Sequence, residues 1–223
     1  WCVWALALHA QISPKREFRG AWIQCVNYQF KGMGTARMQS ELTYQLNELQ
    51  KSGINAILFQ VRPEADALYQ SSFEPWSRYL TGRQGTPPDP YWDPLQWMIE
   101  QCHARGMELH AWINPFRAKT KGTTELAKNH PYFKHPERFF NYDGQLIFDP
   151  GIPENHDYIC QVVMDIMMRY DIDGIHMDDY FYPYPVPGVP IPDDATYARY
   201  GKGMDRDDWR RENVNAFMKK LHD

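Results

Sequence analysis

The stretch TARMQSELTYQLNELQKSGINAILFQV, residues 35–61, shows the pattern that decides the fold: a helix, a break and a strand. Leu42, Leu46 and Leu49 recur at helical spacing, so they mark the buried side of the helix, and Gly53 is a natural stop. The apolar run that begins straight after this glycine predicts a strand. A helix that leads directly into a strand is the repeating element of an α/β fold.

The same alternation continues along the chain. Asp93 is predicted as the N-cap of the next helix, with Pro94 at its first position. A long polar loop is expected over residues 116–153. The predicted strands cover residues 20–26, 54–61, 107–115 and 173–180, and the predicted helices cover residues 35–53, 90–106, 155–171 and 208–223.

Four consecutive strand–helix units predict parallel strands joined by right-handed crossovers. No glycine-rich phosphate loop follows a strand, which argues against a nucleotide-binding sheet. The loops after the strands are long and those before them are short, as in a (β/α)8 TIM barrel, whose active site is built from the loops after the strands. Because a full barrel takes about 250 residues, we expect residues 19–223 to form the N-terminal half of a barrel that is cut short at its C-terminus.

Composition and charge are those of a soluble globular protein. The 223 residues are 43% hydrophobic and 23% charged, and the formal net charge is −4, so a nucleic-acid partner is not predicted. The apolar residues 1–10 resemble the remnant of a signal peptide with Ala10 at the cleavage point, and the alternative is a first strand or helix. The run is too short to span a bilayer. We therefore expect an exported protein of the periplasm, the cell envelope or the extracellular space.

The four cysteines do not indicate a metal centre or a cofactor. They form no CxxC pair, and their spacing is not that of a zinc site. Three of them lie in apolar runs and are interpreted as small buried hydrophobic residues. The four are Cys2, Cys25, Cys102 and Cys160, of which the last three lie in apolar runs.

Side chains alternate between the two faces of a strand, and each predicted strand has one apolar face and one that becomes polar toward its C-terminal end. In parallel strands these polar ends converge on one mouth. Burying so many polar groups unpaired would cost about 1–3 kcal/mol each, so a binding site is expected, with a self-satisfied polar network as the alternative. The polar groups expected at the mouth are Gln24, Gln60, Arg62, Glu64, His110, Asn114, His176 and Asp178.

The acidic pair Asp178 and Asp179 is the candidate catalytic group. Parity directs Asp178 into the lumen, whereas Asp179 points outward or into the following loop, where it could also serve as a cap or an ion-pair partner. Glycosidic cleavage needs two carboxyl groups, about 5–5.5 Å apart for retention or about 6.5–9.5 Å apart for inversion. Glu64, or an acid outside this chain, is the candidate partner.

Side chains for substrate binding surround this acidic pair in the predicted strands and loops. Asn114 suits a hydrogen bond to a sugar hydroxyl, Arg62 either pairs with Glu64 or binds the substrate, and Trp112 either stacks on a sugar or fills the lumen. The predicted substrate-binding residues are Gln24, Gln60, Arg62, His110, Trp112, Asn114, Arg117, His176, Tyr180 and Tyr182.

Five motifs together resemble the glycosyl hydrolase-like 10 family: RGAWIQ, FQVRPEADALY, HAWINPFR, FDPG and DGIHMDDYFYP. The resemblance runs from residue 19 to the end of the chain. It implies a (β/α)8 barrel in exported or lipid-anchored bacterial proteins and a hydrolase of polysaccharide, with cell-wall glycan stripped of its peptides as the substrate of some members. It also implies that Asp178 or Asp179 is the acid/base, that the nucleophile lies outside this chain, and that these 223 residues alone are inactive.

Two alternatives remain at the level of sequence. One is a non-catalytic barrel that binds glycan without cleaving it. The other is a metal-dependent hydrolase, in which His110, Asp149, His176 and Asp178 would ligate a divalent ion.

Overall fold

The computed structural model describes residues 17–27 and 29–223. The predicted signal-peptide remnant at residues 1–10, with Ala10 and Cys2, lies outside the described residues. Within the described ranges, none of the helices is both long enough and apolar enough to pass through a bilayer.

Strands and helices alternate along the described chain. The strands are β1 (Gly20–Ile23), β2 (Ala56–Arg62), β3 (Glu108–Ile113), β4 (Arg117–Lys119), β5 (Phe139–Tyr142), β6 (Gln145–Phe148) and β7 (Gly174–His176). The helices are α1 (Thr35–Lys51), α2 (Arg78–Thr81), α3 (Pro94–His103), α4 (Pro153–Arg169), α5 (Asp194–Tyr200) and α6 (Arg206–His222).

The main sheet has four parallel strands in the order β1-β2-β3-β7. A long helix separates each strand from the next: α1 follows β1, α3 follows β2, α4 precedes β7, and α6 follows it. This sequential parallel order confirms the predicted α/β class, and the sheet with its helices forms part of a (β/α)8 barrel. Asp93 caps α3 as predicted, because its side chain accepts a hydrogen bond from the backbone N–H of Gln96 at 3.1 Å.

The apolar faces of the strands form the core that the sequence predicts. Ile57 and Phe59 of β2 are fully buried, as are Leu109 and Ala111 of β3, and they belong to one cluster with Leu42 of α1. Strand β1 is shorter than predicted. The backbone N–H of Cys25 donates to the side chain of Gln60 at 3.1 Å, so it does not extend the pairing between β1 and β2.

A second, antiparallel sheet of order β4-β6-β5 occupies the segment that was predicted to be a polar loop. Strands β5 and β6 are joined by Asp143 and Gly144, which both have positive φ, at 47° and 76°. An Asp-Gly pair is a strong signal for a two-residue hairpin. The loop prediction was wrong here because this local signal was overlooked.

A buried ion pair lies at the C-terminal end of β2 in the main sheet. The guanidinium of Arg62 donates to Glu74 through Nε at 2.7 Å and through Nη2 at 2.6 Å, and both side chains are fully buried. Arg62 Nη1 also donates to the carbonyl oxygens of Asn114 and Pro115, at 2.7 and 2.9 Å. Arg62 thus takes neither of its two predicted roles. Glu74 in the following loop replaces Glu64 as its partner, and the fully buried guanidinium does not face a substrate.

Replacing Glu74 with glutamine should destabilise the protein strongly. It leaves the buried guanidinium of Arg62 without its counter-charge, and breaking a buried pair from one side costs about 3–5 kcal/mol. The measurement is the midpoint of urea unfolding of the full-length protein. Glu48→Gln is the matched control, since it removes the exposed pair between Glu48 and Lys51 and should leave the midpoint nearly unchanged. Equal shifts for the two variants would contradict the role assigned to the buried pair.

Candidate active site

A chain of side-chain hydrogen bonds crosses the C-terminal ends of the four parallel strands. Gln60 Oε1 accepts from the N–H of Cys25 after β1, and Gln60 Nε2 donates to Asn114 Oδ1 at 2.7 Å. Asn114 Nδ2 then donates to both carboxylate oxygens of Asp178, at 2.9 and 3.0 Å. Asp178 therefore lies beside Asn114 at the mouth, as strand parity predicts.

The orientation of the Asn114 amide is fixed by its other partners. Its Oδ1 accepts from Gln60 and also from Arg117 Nη2, at 2.6 Å, while Arg117 Nε donates to the carbonyl of Pro63 at 2.7 Å. With two donors on the oxygen, only the amide nitrogen is left to face Asp178. Gln60 and Asn114 are buried, with 1% and 0% of their surface exposed. Both were predicted to bind a sugar. Because they are buried and hydrogen-bonded to each other, they instead hold the carboxylate of Asp178 in position.

The two adjacent acids face different surroundings. Asp178 is half-buried, and one of its oxygens also accepts from the backbone N–H of Tyr180, at 3.3 Å. Asp179 is exposed, and its carboxylate accepts a hydrogen bond from the hydroxyl of Tyr184. Only Asp178 is held by the network that spans the strands.

Two tryptophans and a histidine line the lumen next to this network. Trp22 Nε1 donates to His176 Nε2 at 3.1 Å, and the rings of Trp112 and His176 meet edge-on at 6.1 Å. Burial lowers the pKa of His176, against the opposing effect of Asp178, which suits the acceptor role of its Nε2. Trp112 Nε1 is buried without a hydrogen-bond partner among the described residues.

Gln24 lies in a cavity beside these rings. The cavity has a volume of about 340 Å³, and its walls include Trp22, Trp112 and Gln24. The side chain of Gln24 accepts a hydrogen bond from Asn27 at 3.3 Å. Gln24, directly after β1, therefore lies in the lumen beside the two tryptophans, as predicted.

The tyrosines after β7 alternate in direction. Tyr180 lies under the guanidinium of Arg117, 5.4 Å from its ring centre, and its hydroxyl donates to Gln145 at 2.8 Å. The hydroxyl of Tyr182 instead accepts from Asn213 of α6 at 3.1 Å, and burial raises the pKa of Tyr182. Tyr180 belongs to the mouth, whereas Tyr182 packs against α6, away from the predicted binding surface.

His110 does not reach the mouth. It is aligned with Leu58 and Gly174, one lumen level below the pair formed by Trp112 and His176. Two residues of strand correspond to about 6–7 Å. The ring of His110 contacts Glu108 at 3.0 Å. The prediction that it lines the mouth is wrong, because the polar face of β3 begins below the level where the loops open.

Glu64 is enclosed by the loops after β2 and β3. Its carboxylate is fully buried and accepts hydrogen bonds from Tyr79 Oη at 2.9 Å and from the hydroxyl of Thr123, with Arg78 at 3.4 Å. Burial would raise the pKa of Glu64, but the threonine contacts and Arg78 outweigh it and lower the pKa. A carboxylate so enclosed does not face a substrate, and this placement argues against Glu64 as the catalytic partner.

Asp66 is a buried acid that sequence reasoning missed. It accepts from the backbone N–H of Glu64 and from Gln84 Nε2, both at 3.1 Å. Burial, together with the nearby charge of Glu64, raises the pKa of Asp66 to about 7. The two acids stand two residues apart in the motif RPEAD, and that spacing is the signal that was available.

Asp66 should make stability depend on pH. Since its folded pKa is about 7 and an unfolded aspartate has a pKa of about 4, the folded protein keeps a proton that the unfolded chain releases. The free energy of unfolding should therefore fall as the pH rises from about 4 to about 7. Urea midpoints measured across this range should show a flatter slope for Asp66→Asn, whereas Asp179→Asn, an exposed control, should keep the slope of the unaltered protein. Identical slopes for all three proteins would contradict the assignment.

The four residues proposed as metal ligands are not brought together. Asp149 accepts hydrogen bonds from Thr196 and from the N–H of Gly151, while His110 contacts Glu108. In the part of the chain that the structure describes, no group of three or more His, Cys, Asp or Glu side chains is arranged to hold a metal ion. The geometry does not favour the metal-dependent alternative.

Comparison with known proteins identifies a matching family model and related proteins. The family model described as "Glycosyl hydrolase-like 10" matches residues 17–223. The chain is 44% identical over 221 residues to "Glycosyl hydrolase YngK" of Bacillus subtilis, which covers 96% of this chain and 43% of that protein. It is 38% identical over 198 residues to "Glycosyl hydrolase DigH" of Escherichia coli, which covers 83% of this chain and 44% of that protein. The chain thus spans less than half the length of these relatives.

Solved structures are similar at a lower level. An α-galactosidase from Thermus thermophilus is 16% identical with a TM-score of 0.44, covering 73% of this chain and 31% of that one. A maltogenic α-amylase from Thermotoga neapolitana is 17% identical with a TM-score of 0.45, covering 84% of this chain and 43% of that one. Similarity at this level does not define an activity. The match of the family model to almost the whole chain does define the family: the chain belongs to the glycosyl hydrolase-like 10 family.

Proposed function

We propose that this chain supplies one catalytic carboxylate, Asp178, to a glycoside hydrolase that acts on a polysaccharide. The observation that carries the proposal is the hydrogen-bond chain from Gln60 through Asn114 to Asp178. It presents a single half-buried carboxylate at the mouth where a barrel enzyme builds its active site. Membership of the glycosyl hydrolase-like 10 family supports the same chemistry.

The surroundings of Asp178 favour one of the two carboxylate roles in glycosidic cleavage. Three N–H bonds point at its oxygens, two from the amide of Asn114 and one from the backbone of Tyr180. N–H donors on both oxygens interact most strongly with a charged carboxylate, so we assign Asp178 to the group that attacks or stabilises the sugar cation rather than to the proton donor. In this proposal Asp178 is the nucleophile or charge stabiliser, whereas the family resemblance implies that Asp178 or Asp179 is the acid/base.

The rest of the site comes from outside residues 1–223. The relatives that this chain matches are more than twice its length, and Glu64 is enclosed by protein groups. We therefore place the proton donor in the remainder of the full-length protein.

The proposed substrate class follows from aromatic rings in the lumen and at the mouth. Trp22 is 64% exposed, and Tyr180 lies beside Asp178. The amide side chain of Gln24 lies with Trp22 in the wall of the neighbouring cavity. Aromatic planes next to a hydrogen-bond donor suit the C–H faces and hydroxyls of a sugar. Bacterial cell-wall glycan, reached by an exported protein, is the first candidate among polysaccharides.

Activity of the full-length protein should depend on Asp178. We expect Asp178→Asn to lower kcat on cell-wall glycan strands by more than about a hundredfold, the lower end of what a positioned catalytic group contributes. Asp179→Asn, which removes the exposed neighbour, should have a much smaller effect. The products are identified by mass over a panel of bacterial and plant polysaccharides. Binding of glycan without any product from the unaltered protein would instead identify a non-catalytic barrel.

An aryl glycoside with a good leaving group separates the two roles of Asp178. Such a substrate needs little help from a proton donor, so the loss in Asp178→Asn should persist if Asp178 is the nucleophile or stabiliser. Recovery of most of the activity on the aryl substrate would show that Asp178 is the acid/base.

Asn114→Ala tests the support of the carboxylate. Hydrogen bonds to a charged group contribute about 1.5–3 kcal/mol, so kcat should fall about ten- to a hundredfold while KM changes little. Asn213→Ala is the matched control, because it removes an amide that bonds Tyr182 on the other side of the loop. A fall of the same size in the control would show that the loss is general.

A further inference from the structure

A second cavity lies apart from the residues that surround Asp178. Its volume is about 560 Å³, and it is bounded by the loop after β2, by the segment between β4 and β5, and by α4. None of the residues in its walls forms a hydrogen bond with Asp178 in the described chain. Its walls include Phe73, Lys134, Arg138, Phe139, Glu154 and Tyr158.

One wall of this cavity is aromatic. Phe139 packs on Phe148 with ring centres 4.2 Å apart, and Phe148 stacks on Tyr158 at 5.6 Å with 27° between the planes. Phe73 meets Tyr158 edge-on at 6.3 Å. Phe73 and Phe139 are only half-buried, so they keep ring surface toward the cavity. Apolar ring surface of this kind packs against the C–H face of a sugar.

A second wall is basic and incompletely neutralised. Lys134 has no ion pair with any carboxylate of the described residues, and the nearest acid to Arg138 is Glu137, at 4.0 Å. The backbone of Arg138 is fixed, since its carbonyl accepts from the N–H of Asp149 at 2.9 Å and from Asn155 at 2.8 Å. Arg138 thus lines the cavity from an anchored backbone, and a carboxylate is the group whose geometry matches the guanidinium fork.

The acidic residues on the α4 side differ from one another. Asp157 is bonded to Lys220 of α6, so its charge is already balanced. Glu154 has no ion-pair partner in the described part of the chain and is exposed. A lone carboxylate across from a basic wall accepts hydrogen bonds from hydroxyl groups, which sugars present in number.

We propose that this cavity is a second saccharide-binding site, selective for a sugar unit that carries a carboxylate. Arg138 and Lys134 bind the carboxylate, Phe73 and Phe139 pack against the face of the ring, and Glu154 accepts from its hydroxyls. The site holds an acidic glycan strand on the protein independently of cleavage at Asp178. It goes beyond the proposed hydrolysis and does not require it.

Calorimetric titration of the full-length Asp178→Asn protein tests the site without consuming the ligand. The probes are a uronic-acid tetrasaccharide and the same tetrasaccharide with its carboxyl groups reduced to alcohols. We expect the acidic form to bind at least about tenfold more tightly. Adding Arg138→Gln together with Lys134→Gln should remove that preference. Arg138→Lys alone should retain part of it because the charge stays while the fork is lost, and Phe73→Leu should weaken both probes.

Arg37→Gln is the control variant, because it removes an exposed arginine of α1 that has no ion pair among the described residues. It should leave both affinities unchanged. Equal affinity for the two tetrasaccharides, or a preference that survives the combined Arg138→Gln and Lys134→Gln changes, would overturn the inference. The unaltered protein could also lack glycosidase activity while the acidic probe is still preferred through Arg138 and Lys134. That result would support this site and contradict only the proposed hydrolysis.

Discussion

The hydrogen bonds that link Gln60, Asn114 and Asp178 are the constraint on which the site depends. These side chains connect the C-terminal ends of the four strands through a continuous series of hydrogen bonds. The amide of Asn114 has only one arrangement that satisfies all its partners, because its oxygen accepts from Gln60 and from Arg117. The position of the carboxylate is therefore set by the geometry of the sheet.

A buried polar layer of this kind is stable only if nearly every group in it has a partner. Arg62 has two carboxylate contacts and two carbonyl contacts, and Glu74 also accepts from Tyr158 at 3.2 Å. Trp112 is the exception in the lumen, since its N–H has no partner among the described residues. Trp112 is aligned with Gln60 and His176, so this unpaired donor lies one level below Asn114 and Asp178.

The buried ion pair also connects the two surfaces that we propose bind sugars. Tyr158 forms part of the wall of the second cavity and donates to Glu74, which pairs with Arg62. Arg62 in turn donates to the carbonyl of Asn114, whose side chain holds Asp178. Hydrogen bonds through Tyr158, Glu74, Arg62 and Asn114 thus connect the second cavity to Asp178. The two proposed sites therefore belong to one hydrogen-bonded framework.

The sequence by itself determined the four strand–helix units, the apolar faces of the strands and the lumen-facing position of Asp178, because periodicity and parity are local properties of the chain. Tertiary structure alone decided which groups became partners. Arg62 bonds Glu74 rather than Glu64, His110 lies a level below the mouth, and Tyr182 turns toward α6. These outcomes depend on strand register and on the paths of the long loops, and neither is encoded in the spacing of residues along one strand.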